Sequence, residues 1–266
     1  MGRWLLLSLL ALLPACSLFV DLDGIGGGTS DVSKTGADGA VPLAADASDR
    51  GSADGGTDAT SSGGGACAGH LFCATFDGAE PAVGFDNASF SGGSMTIEGG
   101  ALRVASSEET GPSLQKSFDV AARTITARAR FARDRLNTDG WTIYFVLAVE
   151  TDAGEFAVSM QFLEGQPHIY VRKYEPYDQA SVSAGALLGA SGVFTDVSVE
   201  VVMSAAGAPV TRAFVDGTEV ARSTFGYPGL AKRFTLTLGI PDQYFNGTAV
   251  SNVMRFDDVI VDAVAP

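Results

Sequence analysis

Strict alternation of apolar and polar side chains is the feature of this sequence that most constrains its fold. Successive side chains of a strand point to opposite faces, so each stripe of alternate apolar residues predicts a half-buried strand. The clearest stripes are Ile125, Ala127, Ala129 and Phe131; Phe156, Val158, Met160 and Phe162; Val197, Val199, Val201 and Met203; and Phe234, Leu236 and Leu238. No stretch of twelve or more residues shows the 3.6-residue period of an amphipathic helix. The pattern predicts an all-β body of about a dozen strands.

Turn residues between the stripes indicate how the strands are connected. In residues 213–221 two alternating segments flank Asp216-Gly217, a pair that favours the positive φ values of a type I′ hairpin turn. About a dozen strands are too many for one immunoglobulin-like module and suit a two-sheet jelly roll.

Three segments together resemble laminin G-like and concanavalin A-like domains. They are the opening segment, residues 71–78, the Asp-Gly hairpin, residues 214–220, and the closing segment, residues 254–262. The resemblance covers about residues 71–264 and implies an antiparallel jelly-roll sandwich of two curved sheets. This fold hosts lectins, glucanases, lyases and adhesion modules, so function has to be argued from a site.

The first sixteen residues are typical of an export signal. Arg3 precedes the uncharged segment 4–13, which contains seven leucines but is about half as long as a membrane-spanning helix. The motif Leu13-Pro14-Ala15-Cys16 then resembles the bacterial lipoprotein signal, in which the cysteine is acylated and becomes the first residue of the mature protein. We therefore expect a signal peptide at 1–15, a lipid on Cys16 and anchoring in the bacterial cell envelope, with the outer membrane or cell surface favoured.

Residues 16–66 are predicted to form a disordered tether that carries the lipidated cysteine. Residues 17–66 contain twelve glycines and eight aspartates, a composition that buries too little apolar surface to offset chain entropy. The folded domain is predicted to occupy residues 67–266.

With Cys16 lipidated, Cys67 and Cys73 are the remaining cysteines, and export favours a disulfide between them. A metal site that combines these cysteines with His70 is the alternative, although it lacks a fourth ligand.

The charge balance excludes one class of partner. Seventeen Lys and Arg stand against 31 Asp and Glu, which gives a net charge of −14. Nucleic-acid binding requires basic side chains that displace counterions from phosphates, so we expect no nucleic-acid partner.

Two motifs raise the question of catalysis. Glu150-Thr151-Asp152-Ala153-Gly154-Glu155 matches the Glu-x-Asp-x-x-Glu pattern of laminarinase-type glycoside hydrolases. However, apolar strands are predicted on both sides of it, so Thr151 to Gly154 should form an exposed turn.

A second set of residues resembles, in the same order along the chain, elements of alginate lyases: Arg128, Arg130, Gln166-Pro167-His168 and Tyr177-Asp178-Gln179. In those enzymes Arg and Gln/His neutralise a uronate carboxylate, and Tyr moves the proton. Here His168 and Tyr177 are closer in sequence than in that family, so the sequence favours a non-enzyme and leaves a hydrolase or lyase open.

Alternation in residues 166–175 places polar and aromatic side chains on one face. These are His168, Tyr170, Arg172 and Tyr174, and Arg128 and Arg130 would join them if their strand were adjacent. Aromatic rings pack on sugar C–H groups and arginine binds hydroxyls or carboxylates, so the set predicts a carbohydrate-binding face. The alternative is an ordinary solvated sheet face.

Acidic residues near the end of the chain are weak candidates for a structural calcium site. They are Asp257, Asp258 and, in the loop predicted at 241–244, Asp242. Carboxylate oxygens are the ligands that calcium prefers. The alternative is that these are ordinary turn and edge-strand aspartates.

The sequence-based hypothesis is a lipid-anchored surface protein whose sandwich binds glycan without catalysis. Its partners would be the membrane, through the lipid, and a polysaccharide or a surface protein. The alternatives are a polysaccharide hydrolase or lyase on the same fold, or a structural spacer of the envelope.

Overall fold

The structure is a computed structural model that describes residues 67–136, 140–164, 166–174, 177–183, 190–245 and 251–266. Within these ranges the secondary structure consists of strands, with no helix. The strands are β1 (Phe72–Ala74), β2 (Asn87–Ser89), β3 (Gly93–Glu98), β4 (Ala101–Ser106), β5 (Ser113–Phe118), β6 (Thr124–Arg135), β7 (Gly140–Thr151), β8 (Gly154–Leu163), β9 (Gln166–Tyr174), β10 (Tyr177–Ser183), β11 (Thr195–Val202), β12 (Val210–Val215), β13 (Thr218–Ser223), β14 (Arg233–Phe245) and β15 (Asn252–Val264).

The strands form two antiparallel sheets. The eight-stranded sheet has the order β13-β12-β11-β6-β15-β4-β3, and β1 also pairs with β15. The seven-stranded sheet has the order β10-β9-β8-β7-β14-β5-β2. Many neighbours, such as β6 and β15, are distant in sequence, as expected of a jelly roll.

The core lies between the sheets and is built from the predicted apolar stripes. All the residues of the four stripes are buried, and their alternation on β6, β8, β11 and β14 directs them inward. An aromatic stack joins the sheets: the ring of Tyr144 lies 4.5 Å from that of Phe131 and 5.0 Å from that of Phe162. The predicted all-β jelly-roll sandwich is therefore confirmed.

Local turn chemistry agrees with the sequence at two hairpins. Asp216 and Gly217 have φ of 47° and 75°, the left-handed pair that the β12–β13 turn requires. The β7–β8 hairpin turns between Thr151 and Gly154, and the Thr151 hydroxyl donates a hydrogen bond of 3.0 Å to the Gly154 carbonyl. The predicted turn inside the hydrolase-like motif is thus present.

The start of the described chain is fastened to its end. Cys67 and Cys73 form the predicted disulfide, and β1 pairs with β15 from Phe72 opposite Val261 to Ala74 opposite Val259. His70 Nδ1 lies 2.8 Å from an Asp262 carboxylate oxygen. The opening and closing segments identified by resemblance are therefore neighbours in one sheet.

The signal peptide, Cys16 and the tether, predicted over residues 1–66, lie outside the described residues. Among the residues that are described, no helix is long and apolar enough to cross a membrane.

Candidate functional site

The predicted ligand face lies on β9, in the seven-stranded sheet. Ile169 and Val171 point into the core and are buried, so alternation directs His168, Tyr170, Arg172 and Tyr174 to the opposite side. We call the side of this sheet that points away from the core the seven-strand face. Strands β7 to β10 follow one another as consecutive hairpins, which brings residues near in sequence together on this face.

Strand register identifies the neighbours of these residues on the seven-strand face. On β8, Gln161 is opposite His168, Ser159 opposite Tyr170 and Ala157 opposite Arg172. Although they point away from the core, Gln161, Ser159 and Ala157 are only 6%, 8% and 5% exposed. The longer side chains of His168, Tyr170 and Arg172 beside them on β9 are partly exposed, so β8 forms a low strip alongside β9.

The edge strand β10 adds further polar and aromatic groups. Gln179 lies opposite Arg172, and Tyr177 lies opposite Tyr174. The Tyr177 hydroxyl donates a hydrogen bond of 2.7 Å to the Gln179 side-chain oxygen, and the Arg172 guanidinium lies 5.9 Å from the centre of the Tyr177 ring. These contacts hold Arg172 and Gln179 beside each other at one corner of the face.

Asp242 on β14 supplies an acidic group to the same face. It is opposite Ile143 of β7, which in turn is opposite Gln161. Burial raises the pKa of the Asp242 carboxyl to about 6, against an opposing effect of the Arg172 guanidinium. Burial likewise raises the pKa of the Tyr174 hydroxyl. The face therefore combines a fixed cation, an imidazole, three phenols and a carboxyl whose pKa is raised to about 6.

This set of groups suits a sugar that carries a carboxylate. Arg172 and the amides of Gln161 and Gln179 can bind a carboxylate or hydroxyls, and the tyrosine rings can pack on sugar C–H groups. His168 and Tyr170 are two residues apart on one strand, about 7 Å along it, and both are side chains that can exchange protons.

Arg128 and Arg130 do not belong to this face, and that part of the predicted site is wrong. Both lie on β6, which pairs with β11 and β15 in the eight-stranded sheet. They alternate with buried core residues and so point away from the core on the opposite side of the sandwich. Arg130 Nη1 contacts Asp257 at 3.2 Å and Asp258 at 3.4 Å.

The three aspartates considered for calcium are also divided between the sheets. Asp257 and Asp258 lie on β15 with Arg130, whereas Asp242 lies on β14. In the described part of the chain, no group of three or more His, Cys, Asp or Glu side chains is arranged to hold a metal ion. The structure thus does not bring the three candidate aspartates together.

The carboxylates of the hydrolase-like motif flank a hairpin turn. Glu150 and Glu155 are opposite each other where β7 meets β8, and both side chains are exposed. Neighbouring protein atoms partly desolvate the Glu155 carboxyl despite this exposure, and this desolvation, with the nearby Glu150 charge, raises its pKa. The two residues belong to separate strands rather than to the single continuous strand of the laminarinase-type enzymes.

Sequence reasoning missed Gln161, and it considered Asp242 only as a calcium ligand and not as part of this face. The position of Gln161 could have been predicted, because it alternates with the core residues Met160 and Phe162 on a strand that leads directly into β9. Asp242 had no such signal, because β14 follows β10 by fifty residues and its pairing with β7 shifts register between Leu238 and Asp242.

Comparison with known proteins finds solved structures of similar fold. No family model and no curated protein matches the sequence. The structure is similar to endo-β-1,4-glucuronan lyase from the fungus Trichoderma reesei, with a TM-score of 0.52, 14% identity and coverage of 73% of this chain and 96% of that one. It is also similar to a mutant of the alginate lyase Aly36B in complex with alginate trisaccharide, with a TM-score of 0.53, 15% identity and coverage of 72% and 97%. This chain therefore has the concanavalin A-like jelly-roll fold that these lyases have.

Proposed function

We propose that this protein is an exported, lipid-anchored polysaccharide lyase whose seven-strand face binds and cleaves a uronate-containing polysaccharide. One observation carries the proposal: His168, Tyr170 and Arg172 project from one strand over the low strip of Gln161, Ser159 and Ala157. The glucuronan and alginate lyases of similar fold are named for uronate polymers, which supports this choice of substrate. Export and anchoring rest on the leader and on Cys16.

The reaction would be a β-elimination. Arg172, with the amides of Gln161 and Gln179, would neutralise the uronate carboxylate and so acidify the proton on C5. Tyr170 or His168 would remove that proton, and the other would protonate the departing glycosidic oxygen as the C4–O bond breaks. The products are a chain with a new hydroxyl end and a chain with a C4–C5 double bond, and no water is consumed.

A second candidate is the binding of glycan without cleavage. Glu150, Glu155 and Asp242 share the seven-strand face with Arg172 and offset its charge. Such a face suits a neutral glycan held by tyrosine rings, in which case no proton transfer is required.

The two candidates differ in product. Residues 17–266 would be incubated with glucuronan, alginate and a neutral β-glucan, and the ultraviolet absorbance of the conjugated double bond would be followed. We expect product from an acidic polymer, a loss of about a hundredfold or more in Tyr170→Phe, and full activity in the control Arg128→Gln. Binding of a glycan without unsaturated product would support the second candidate. The absence of both binding and product would contradict both.

A further inference from the structure

The outward side of the eight-stranded sheet gathers three arginines near one end. Arg103 on β4 lies directly opposite Arg255 on β15, and Arg135, the last residue of β6, lies opposite Val253 of β15. Like charges directly opposite each other destabilise an antiparallel pair. In a chain with a net charge of −14, this local excess of positive charge is therefore not explained by sheet formation.

Arg255 is engaged by its own protein through Nε and Nη2. Its Nε and Nη2 donate hydrogen bonds of 3.1 and 2.8 Å to one Asp134 oxygen, and Nη2 also donates to the Gly192 carbonyl at 3.0 Å. Its guanidinium lies 4.9 Å from the centre of the Phe194 ring. One oxygen of Asp134 is thus bound by Arg255 rather than by Arg103 or Arg135.

Arg103 and Arg135 retain unused donors. The Nε of Arg103 is 3.6 Å from a Glu98 oxygen, too far for a hydrogen bond, and the Glu98 side chain is 57% exposed. Arg135 is exposed and makes no hydrogen bond or ion pair with any residue that the structure describes. A guanidinium carries five N–H donors in a planar fork, so both arginines keep free donors that can bind an oxyanion.

Both arginines line one open depression of about 280 Å³. Ala105 and Val253, which are opposite each other on β4 and β15, are among its small lining residues, and Asp134 and Ser251 complete it. Arg103 and Arg135 lie on the strands to either side of β15, about 10 Å apart across the sheet and, because they are opposite Arg255 and Val253, about 7 Å apart along it. Two long side chains with small residues between them can close on a single group from opposite sides.

We propose that this depression binds one oxyanion, a carboxylate or sulfate group, between Arg103 and Arg135. The strongly acidic chain disfavours a polyanion at long range, whereas two guanidiniums at contact distance can hold a single group. The site lies on the opposite sheet from the seven-strand face and does not depend on the proposed lyase activity.

Binding would be measured by calorimetry at low ionic strength on residues 17–266, with sodium sulfate and sodium glucuronate as probes. We expect saturable binding that salt weakens, and a loss of about tenfold or more in affinity in both Arg103→Gln and Arg135→Gln. Arg135→Lys, which keeps the charge without the fork, should also weaken it. The matched control is Arg128→Gln, which removes an exposed arginine from the outward side of the same sheet and should leave binding unchanged.

The two probes separate the sources of the oxyanion. Equal affinity for sulfate and glucuronate would mean that the oxyanion alone is recognised, whereas tighter glucuronate binding would mean that the sugar ring also contacts the depression; either supports the site. Failure of both probes to saturate, or an equal loss in Arg128→Gln, would overturn it. Both probes would also be measured in Arg172→Ala, which removes the carboxylate-binding guanidinium of the seven-strand face. Saturable binding that remains in this variant and is weakened further by Arg103→Gln belongs to the depression, so failure here and failure of the lyase proposal are distinguishable.

Discussion

Replacement of Asp242 by asparagine should stabilise the protein at neutral and alkaline pH. The carboxyl lies on the seven-strand face, where burial raises its pKa from 3.8 to about 6 despite the attraction of Arg172. A raised pKa means that the folded state holds the proton more tightly than the unfolded chain does. Stability must therefore fall as pH rises from about 4 to about 6, because only the unfolded state releases its proton in that range.

The shift sets the size of the effect. The pKa changes from 3.8 to about 6, which is about two units. At about 1.4 kcal/mol per unit, the ionised carboxylate lowers the free energy of unfolding by at most about 3 kcal/mol. The carboxyl is partly exposed and solvent screens it, so we expect about 1.5 kcal/mol. Asp242→Asn should gain this amount above pH 6 and nothing below pH 4, where the carboxyl is protonated in both states.

Urea unfolding followed by circular dichroism from pH 3.5 to pH 8 would test this. Asp119→Asn is a control of opposite sign, because the hydrogen bond from Arg233 lowers the pKa of the exposed Asp119 carboxyl. That variant should lose stability at neutral pH, with the difference disappearing as pH falls through the lowered pKa. An Asp242→Asn difference that is independent of pH, or largest in acid, would refute the reasoning.

Two further predictions concern the core and the N-terminal disulfide. Tyr144→Phe should stabilise the protein by about 1 kcal/mol in urea unfolding, because the buried hydroxyl has no hydrogen-bond partner among the described residues. The substitution keeps the stacking of the ring on Phe131. A loss of stability would mean that the hydroxyl is paired. Replacement of both Cys67 and Cys73 by serine should cost about 2 kcal/mol, the chain-entropy value for so short a loop, and reductant should have the same effect on the native protein. An unchanged urea midpoint in both experiments would show that the disulfide does not constrain the unfolded chain.

The residues of the candidate site could be predicted from the sequence only in part. His168, Tyr170, Arg172 and Tyr174 were predicted to share a face, and alternation on β9 places them together. Arg128 was assigned to the same face from its residue type and order, and it lies on the other sheet. Residue type says what a side chain can bind, but not which strand it lies beside.

Features that depend on local geometry could be predicted from the sequence. A strand has a side-chain period of two, so the stripe from Ile125 to Phe131 specified its own buried face, and Asp216-Gly217 specified its own turn. The hairpins from β7 to β10 follow in the same way, because their neighbours are consecutive in the chain.

The neighbours of strands that are distant in the chain could not be predicted in this way and depend on the complete fold. The pairing of β15 with both β4 and β6 created the depression between Arg103 and Arg135, and the pairing of β14 with β7 brought Asp242 onto the seven-strand face. Such pairings depend on how both sheets close over one core, and many strands of this sequence are interchangeable in their alternation. No local signal distinguishes among them, because the energy that selects the arrangement comes from packing of the whole sandwich.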